Sequence, residues 1–265
     1  MKEICWASKE QEHYKDWLRS EDGGHEFLDH WSRKFEYPWA LAKGGFEHGQ
    51  VTLDAAGGDA PLQRFIAEKT GVVFNVDSDK EALARGKQRW DRQNIIRRVD
   101  DLRTIGSGGG FFCEGFFDRV VCVSALEHIP DHMDVLKELW WVLKKGGRMI
   151  VTFDVASYSR WNHSIDLARA VKIAAMFGLE VPLPGSKSPD GPSILKAVFP
   201  EIQRTIGYHE FIALTPNEAS LAPGELVACV HCGEAFTLGG SGICLKRNDP
   251  ESVELKVLCM VVDKE

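Results

Sequence analysis

The sequence lacks any run of eighteen or more apolar residues, so no stretch reads as a membrane span. Met1 to Ser20 is charged throughout, without the apolar segment of a secretory signal. A cytoplasmic protein with no membrane partner is expected. Basic excess is missing too: 32 Lys and Arg stand against 39 Asp and Glu, a formal net charge of −7. That balance gives no general electrostatic reason to bind nucleic acid, and none is expected as a partner. Cysteine is sparse, odd in number and scattered, with seven in 265 residues. This is no disulfide framework, and reduced thiols are expected. Cys229-Val230-His231-Cys232 is half of a zinc site, but Cys244 and Cys259 stand alone, so no metal is expected. Internal repeats and long low-complexity tracts are also absent.

What is present is centred on Val51-Thr52-Leu53-Asp54-Ala55-Ala56-Gly57-Gly58-Asp59-Ala60-Pro61-Leu62. An apolar run ends in an acid, small residues follow, and Pro61 opens a helical pattern of Leu62, Phe65 and Ile66 that closes at Thr70-Gly71. This spacing predicts strand, tight turn and helix. Small side chains let a ligand reach the turn's backbone N–H groups, and Asp54, at the carboxyl end of the strand, faces it.

Strands and helices then alternate. Gly71 to Asp77 is a second strand ending in an acid, Lys80 to Trp90 a helix, and Ile95 to Asp101 a third strand, followed by the loop Ser107 to Gly110. Phe117 to Ser124 is a fourth strand. Met133, Leu136, Trp140 and Leu143 line a helix expected to carry Lys144 and Lys145 in its last turn and to stop at Gly146-Gly147, before a fifth strand from Arg148 to Val155. Continuous apolar strands separated by helices predict a doubly wound α/β fold.

Residues 1–50 hold Trp6, Trp17, Trp31 and Trp39 among charges and glycine pairs, and read as short helices covering a cleft. Docking onto the core accounts for these aromatics, with Glu36-Tyr37-Pro38-Trp39 the segment placed to touch ligand. After 155, helices are expected at Ser164 to Phe177 and Ile194 to Ile206. Strands are expected at Glu225 to Val230 and Leu255 to Val262.

Ligands of an open α/β sheet sit outside the carboxyl ends of its strands, which gathers Asp54, Asp77, Asp100 or Asp101, and Ser124 to His128. Asp77 suits the hydroxyls of a ribose. A dinucleotide turn would need glycines at 56, 58 and 61, where the chain has Ala56, Gly58 and Pro61, so a nicotinamide oxidoreductase is disfavoured.

Five features in order over residues 50 to 155 resemble the class I S-adenosylmethionine-dependent methyltransferases. They are Val51 to Gly58, Asn75-Val76-Asp77-Ser78, Asp101-Leu102, Phe117 to Ile129, and Leu139 to Gly147 before a strand. The resemblance implies a Rossmann-like seven-stranded sheet, mostly parallel with an antiparallel C-terminal strand. It also implies S-adenosyl-L-methionine as cofactor and methyl transfer to a small molecule, a sugar or metabolite with oxygen as the expected acceptor atom.

By the same resemblance, Asp54 holds the methionine amino group, Ala56, Gly57 and Gly58 give backbone access, and Asp77 with the adjoining Ser78 meets the ribose. Asp101 accepts from the adenine amino group, Leu102 packs on the ring, and Ser124 borders the methyl group. His128 is the first candidate for a general base, with His163 and His209 behind it. Residues 1–50 form a helical cap, 51–155 the cofactor-binding core, and 156–265 the rest of the core with an acceptor-side insertion at about 160–220. A non-catalytic binding or assembly protein on the same fold is the alternative, suggested by Ala56 and Ala60 where the family has Gly.

Overall fold

The computed structural model describes residues 1–7, 32–107, 109–156, 165–181, 211–213, 226–229, 235–237 and 255–265. Two compact units divide the chain: Met1–Pro182 with Leu255–Glu265, and Leu183–Glu254.

The first unit is built on one sheet. Strands β1 (Lys2–Trp6), β2 (Val51–Ala55), β3 (Val72–Asp77), β4 (Ile95–Val99), β5 (Phe117–Val123), β6 (Leu143–Ala156) and β11 (Leu255–Asp263) lie in the order β1-β11-β6-β5-β2-β3-β4, and short β7 (Ile165–Asp166) pairs with β6. From β4 to β6 all pairs are parallel, while β11 is antiparallel to both β6 and β1. Six of the seven strands in this order therefore run one way and β11 runs against them. The doubly wound, mostly parallel sheet with an antiparallel C-terminal strand is as expected. Strand order reverses beside β2, where the next strand in sequence, β3, lies on one side and β5 on the other. That crevice is the ligand position of this architecture.

Helices α1 (Arg33–Lys43), α2 (Leu62–Ala67), α3 (Lys80–Arg89), α4 (His132–Val142) and α5 (Leu167–Met176) connect or cover the strands. Apolar strands need cover on both faces. Trp39, Ala40, Leu62, Phe65 and Ile66 pack with Val73, Val121, Ile150 and Val261 in one cluster. The Phe74 ring meets Phe112 edge-on at 5.2 Å, and Phe112 lies 4.7 Å from Phe117. Asp79 caps α3, accepting from Glu81 N and Ala82 N.

Two expectations are corrected here. Residues 1–50 are not wholly helical, because Lys2–Trp6 forms an edge strand in register with Leu258–Val262. Its five residues, KEICW, are too short and too alternating for a helix, but the exposed edge of β11 supplies their backbone partners. Helix α4 ends at Val142, and β6 begins at Leu143, so Lys144 and Lys145 lie in the strand. Lys144 Nζ reaches Asp118 Oδ1 at 2.8 Å, and Gly146 takes φ +74° within the irregular strand start. Cross-strand pairing overrode the helical periodicity.

The second unit's described residues form an antiparallel sheet, β10 (Ala235–Thr237), β9 (Leu226–Cys229) and β8 (Phe211–Ala213), in that order. Trp17, Trp31, His163, His209, His231, Cys232, Cys244 and the expected helix Ile194 to Ile206 lie outside the described residues. Among the described residues Cys5, Cys113, Cys122 and Cys259 form no disulfide, no His/Cys/Asp/Glu group is placed to hold a metal, and no helix is long and apolar enough to cross a membrane.

Candidate active site

The turn after β2 is held from several directions. Asn75 Nδ2 on β3 donates to Gly58 O at 2.9 Å, Gln63 Nε2 donates to Ala60 O at 2.8 Å, and Trp90 Nε1 donates to Asp59 O at 2.9 Å. The Arg97 guanidinium fixes Gln63 through its Oε1 at 2.9 Å. A turn whose carbonyls are tied back in this way keeps its shape without a ligand.

Glycine is required here for two different reasons. A Cβ on Gly57 would collide with the Asp54 carboxylate and Asn75 Oδ1, whereas Gly58 takes φ +47°. Ala56 takes φ +55°, a region an L side chain enters at a cost of about 1–2 kcal/mol. Its N–H donates to Val76 O at 2.7 Å, and this bond across the sheet holds it there. Among the described residues one other non-glycine has positive φ: Ser124, at +43°. Both follow central strands at the carboxyl edge, where backbone strain gathers in functional sites.

Asp54 is 2% exposed and its Oδ2 has no hydrogen-bond partner among the described residues. Burial first, and the Asp77 carboxylate second, push its pKa up to about 7 against the pull of Arg97. A buried acceptor without a donor, packed against Gly57 beside the likewise unpartnered Asn75 Oδ1, suits the ammonium of an amino-acid ligand. Asp77 is part-exposed at the end of β3, with Oδ1 accepting from Asp79 N at 2.8 Å. Burial raises its pKa, while the N–H groups of Asp79, Gly58 and Ser78 oppose the rise. Asp54, Gly57, Gly58 and Asp77 thus come together at the crevice beside β2.

Asp101 is arranged otherwise. Arg103 grips its carboxylate, with Nε at 3.0 Å from both oxygens and Nη2 at 2.6 Å from Oδ2, and these bonds hold its pKa low. Leu102 is buried. His128 is exposed at the end of the 3-10 turn Leu126–His128, whereas its neighbour Glu127 is buried.

A second cluster joins α1 to the ends of β5 and β6. The Ser124 hydroxyl donates to Glu36 Oε1 at 2.5 Å, Thr152 Oγ1 donates to the same oxygen, and Arg33 Nη1 meets Glu36 Oε2 at 2.6 Å. Burial alone would raise the fully buried Glu36 carboxyl, but Arg33 and the two hydroxyls outweigh it and hold its pKa below the ordinary value. Glu36 and Thr152 were not legible as partners from sequence. The only signal was Glu36-Tyr37-Pro38-Trp39 beside a predicted cleft, and Tyr37 and Trp39 proved to be core residues.

Residues 53–151 match the family model described as a methyltransferase domain. Over this span the chain is similar to methyltransferase domains. The ubiquinone/menaquinone biosynthesis C-methyltransferase UbiE of Hydrogenovibrio crunogenus is 31% identical over 116 residues, 42% of this chain and 45% of that protein. UbiE of Escherichia coli O1:K1 / APEC is 29% identical over 111 residues, 40% and 43% of the two chains. The chain thus aligns with somewhat under half the length of these curated relatives. The methyltransferase-like fold extends further than the sequence match. YcgJ from Bacillus subtilis superposes with a TM-score of 0.53 at 14% identity over 87% of this chain and 98% of that one. A methyltransferase-like protein from Bacillus halodurans gives 0.52 at 12%, covering 85% and 97%.

Proposed function

We propose that this protein transfers a methyl group from S-adenosyl-L-methionine to a small-molecule acceptor by in-line displacement. The observation that carries the proposal is the unpartnered Asp54 Oδ2 behind the Gly57-Gly58 turn, at the switch point of a methyltransferase fold. When bound, S-adenosyl-L-methionine supplies an electrophilic methyl group on a sulfonium, which is a good leaving group.

Asp54 holds the amino group, Ala56, Gly57 and Gly58 offer backbone beside the chain of the cofactor, and Asp77 with Ser78 takes the ribose hydroxyls. Leu102 packs near the adenine, and Asp101 accepts from its amino group on exchanging part of its Arg103 contact. Ser124 borders the reacting centre, so the protein's contribution is alignment. For an oxygen acceptor, the expected case, a proton must also leave, and His128 is the proposed base. Residues 1–50 and about 160–220 form the acceptor side. The net charge of −7 supports a small molecule over nucleic acid, and the free thiols support a cytoplasmic setting.

Calorimetric titration with S-adenosylmethionine and S-adenosylhomocysteine tests the reading. Micromolar binding, weakened at least tenfold (about 1.4 kcal/mol) by Asp77→Ala, is expected. Absence of binding by the wild-type protein would overturn it in favour of a non-catalytic module on the same fold.

A further inference from the structure

Three acceptor oxygens at the carboxyl ends of β5 and β6 are buried without a side-chain donor among the described residues: Glu127 Oε1, Glu127 Oε2 and Asp154 Oδ1. Glu127 is 6% exposed, and both its carboxyl oxygens are out of water beside its own backbone N–H, with no side-chain donor among the described residues. A buried carboxyl in that condition is costly, and native proteins keep one mainly where a ligand or a functional step uses it.

Placement brings these oxygens to one spot. Asp154 lies two residues beyond Thr152 on β6, and alternate residues of a strand share a face. Thr152 bonds Glu36 on that face, so Asp154 stands beside the Glu36 cluster. Ser124, bonded to the same Glu36 oxygen, leads within three residues to Glu127. Ser124 N donates to Thr152 O at 3.0 Å, which locks the two strand ends together. This spot lies over β5 and β6, on the side of β2 away from Asp77 and β3.

Charge decides what fits. Arg33 is the basic group of the cluster, and Glu36 already neutralises it at 2.6 Å. Among the described residues neither Glu127 nor Asp154 has a salt-bridge partner of its own, and both pKa values are raised: burial first, then Asp154, acts on Glu127, and burial, then Glu36, acts on Asp154, with Arg33 pulling against the rise in each. A hydroxyl brings one donor and no charge. A primary ammonium brings three donors and one positive charge, matching three empty acceptors in number and sign.

We propose that Glu127 and Asp154 bind a primary ammonium group carried by the acceptor molecule, an assignment that rests on the methyltransferase reading above. The site selects amine-bearing small molecules over their neutral isosteres, with the ammonium as an anchor.

Saturation-transfer NMR on the full chain tests this with matched fragment pairs: benzylamine and benzyl alcohol, cyclohexylamine and cyclohexanol. Each is titrated with and without S-adenosylhomocysteine. The amines are expected to bind at least tenfold tighter than the alcohols, and Glu127→Gln and Asp154→Asn are each expected to remove at least tenfold of that affinity. Both variants should keep wild-type S-adenosylhomocysteine affinity within twofold, which shows that they fold. If a variant does not fold, the wild-type amine-to-alcohol ratio decides alone. Equal binding of amines and alcohols, no amine binding, or amine binding that survives both substitutions would overturn the assignment. Failure of S-adenosylhomocysteine to bind would instead count against the methyltransferase reading, while amine selectivity without it would still support the ammonium site.

Discussion

Ser124 leaves β5 with φ +43°, and its hydroxyl lies 2.5 Å from Glu36 Oε1, 88 residues earlier in the chain. The left-handed conformation turns Ser124 toward the N-terminal helix, and Thr152 on the neighbouring strand reaches the same oxygen. One carboxylate therefore fixes helix α1 over two strand ends at the edge of the cleft.

Glu36→Ala should be among the most damaging single substitutions. It leaves the Arg33 guanidinium largely buried without its partner, and breaking such a pair costs about 3–5 kcal/mol. Glu36→Gln, which keeps an acceptor for both hydroxyls, should cost less. Urea unfolding measures both, and a loss below about 1 kcal/mol for Ala would show that Glu36 does not anchor α1.

Ala56→Gly should stabilise the protein by about 1 kcal/mol, because φ +55° is costly for alanine and free for glycine, less the entropy glycine adds to the unfolded chain. Gly57→Ala should do the reverse and abolish cofactor binding, since its Cβ enters the Asp54 carboxylate. Thermal melts with and without S-adenosylhomocysteine separate the two effects. Equal melting temperatures for all three proteins would refute the steric account.

Asp54 makes stability depend on pH with a definite sign. Its folded pKa, about 7, is raised above the unfolded value near 3.9, so the folded state binds the extra proton between them. The contribution is full below pH ~4, falls as pH rises, and is gone above pH ~7. Asp154, also raised to about 7, acts in the same window. Asp54→Asn should therefore lose less stability than wild type between pH 4 and 7, read as a flatter urea midpoint against pH. Parallel curves would mean that Asp54 ionises normally.

Asn75 positions the turn through its Nδ2, which donates to Gly58 O. Asn75→Ala removes the donor to Gly58 O and should weaken S-adenosylmethionine binding about tenfold, or about 1.4 kcal/mol. Asn75→Asp should be worse, since it adds a carboxylate beside Asp54. Calorimetry checks both, and unchanged affinity for Asn75→Ala would remove the positioning role.

The central part of the fold was legible because it is written locally. Each strand from Val51 to Val155 is a short apolar run, each turn is marked by glycine or acid, and the order of elements fixes a parallel sheet with its crevice beside β2. Asp54 and Asp77 could be placed because a residue at the carboxyl end of such a strand has one place to point. The Lys2–Trp6 strand could not, since five residues have no helical or strand identity until the edge of β11 offers them hydrogen bonds. The end of α4 failed for the same reason: pairing of Leu143 with Phe117 outweighed the periodicity that would have carried the helix further.

The sequence by itself determined the strand-turn-helix at 51–67, the acids at the strand ends and the net negative charge, none of which depends on long-range contacts. Only the tertiary structure decided that Asp101 is held by Arg103, that Asp54 Oδ2 lacks a donor among the described residues, and that Glu36, Thr152, Asp154 and Glu127 lie near one another. Those facts depend on burial and on contacts across up to 116 residues, which no local pattern encodes.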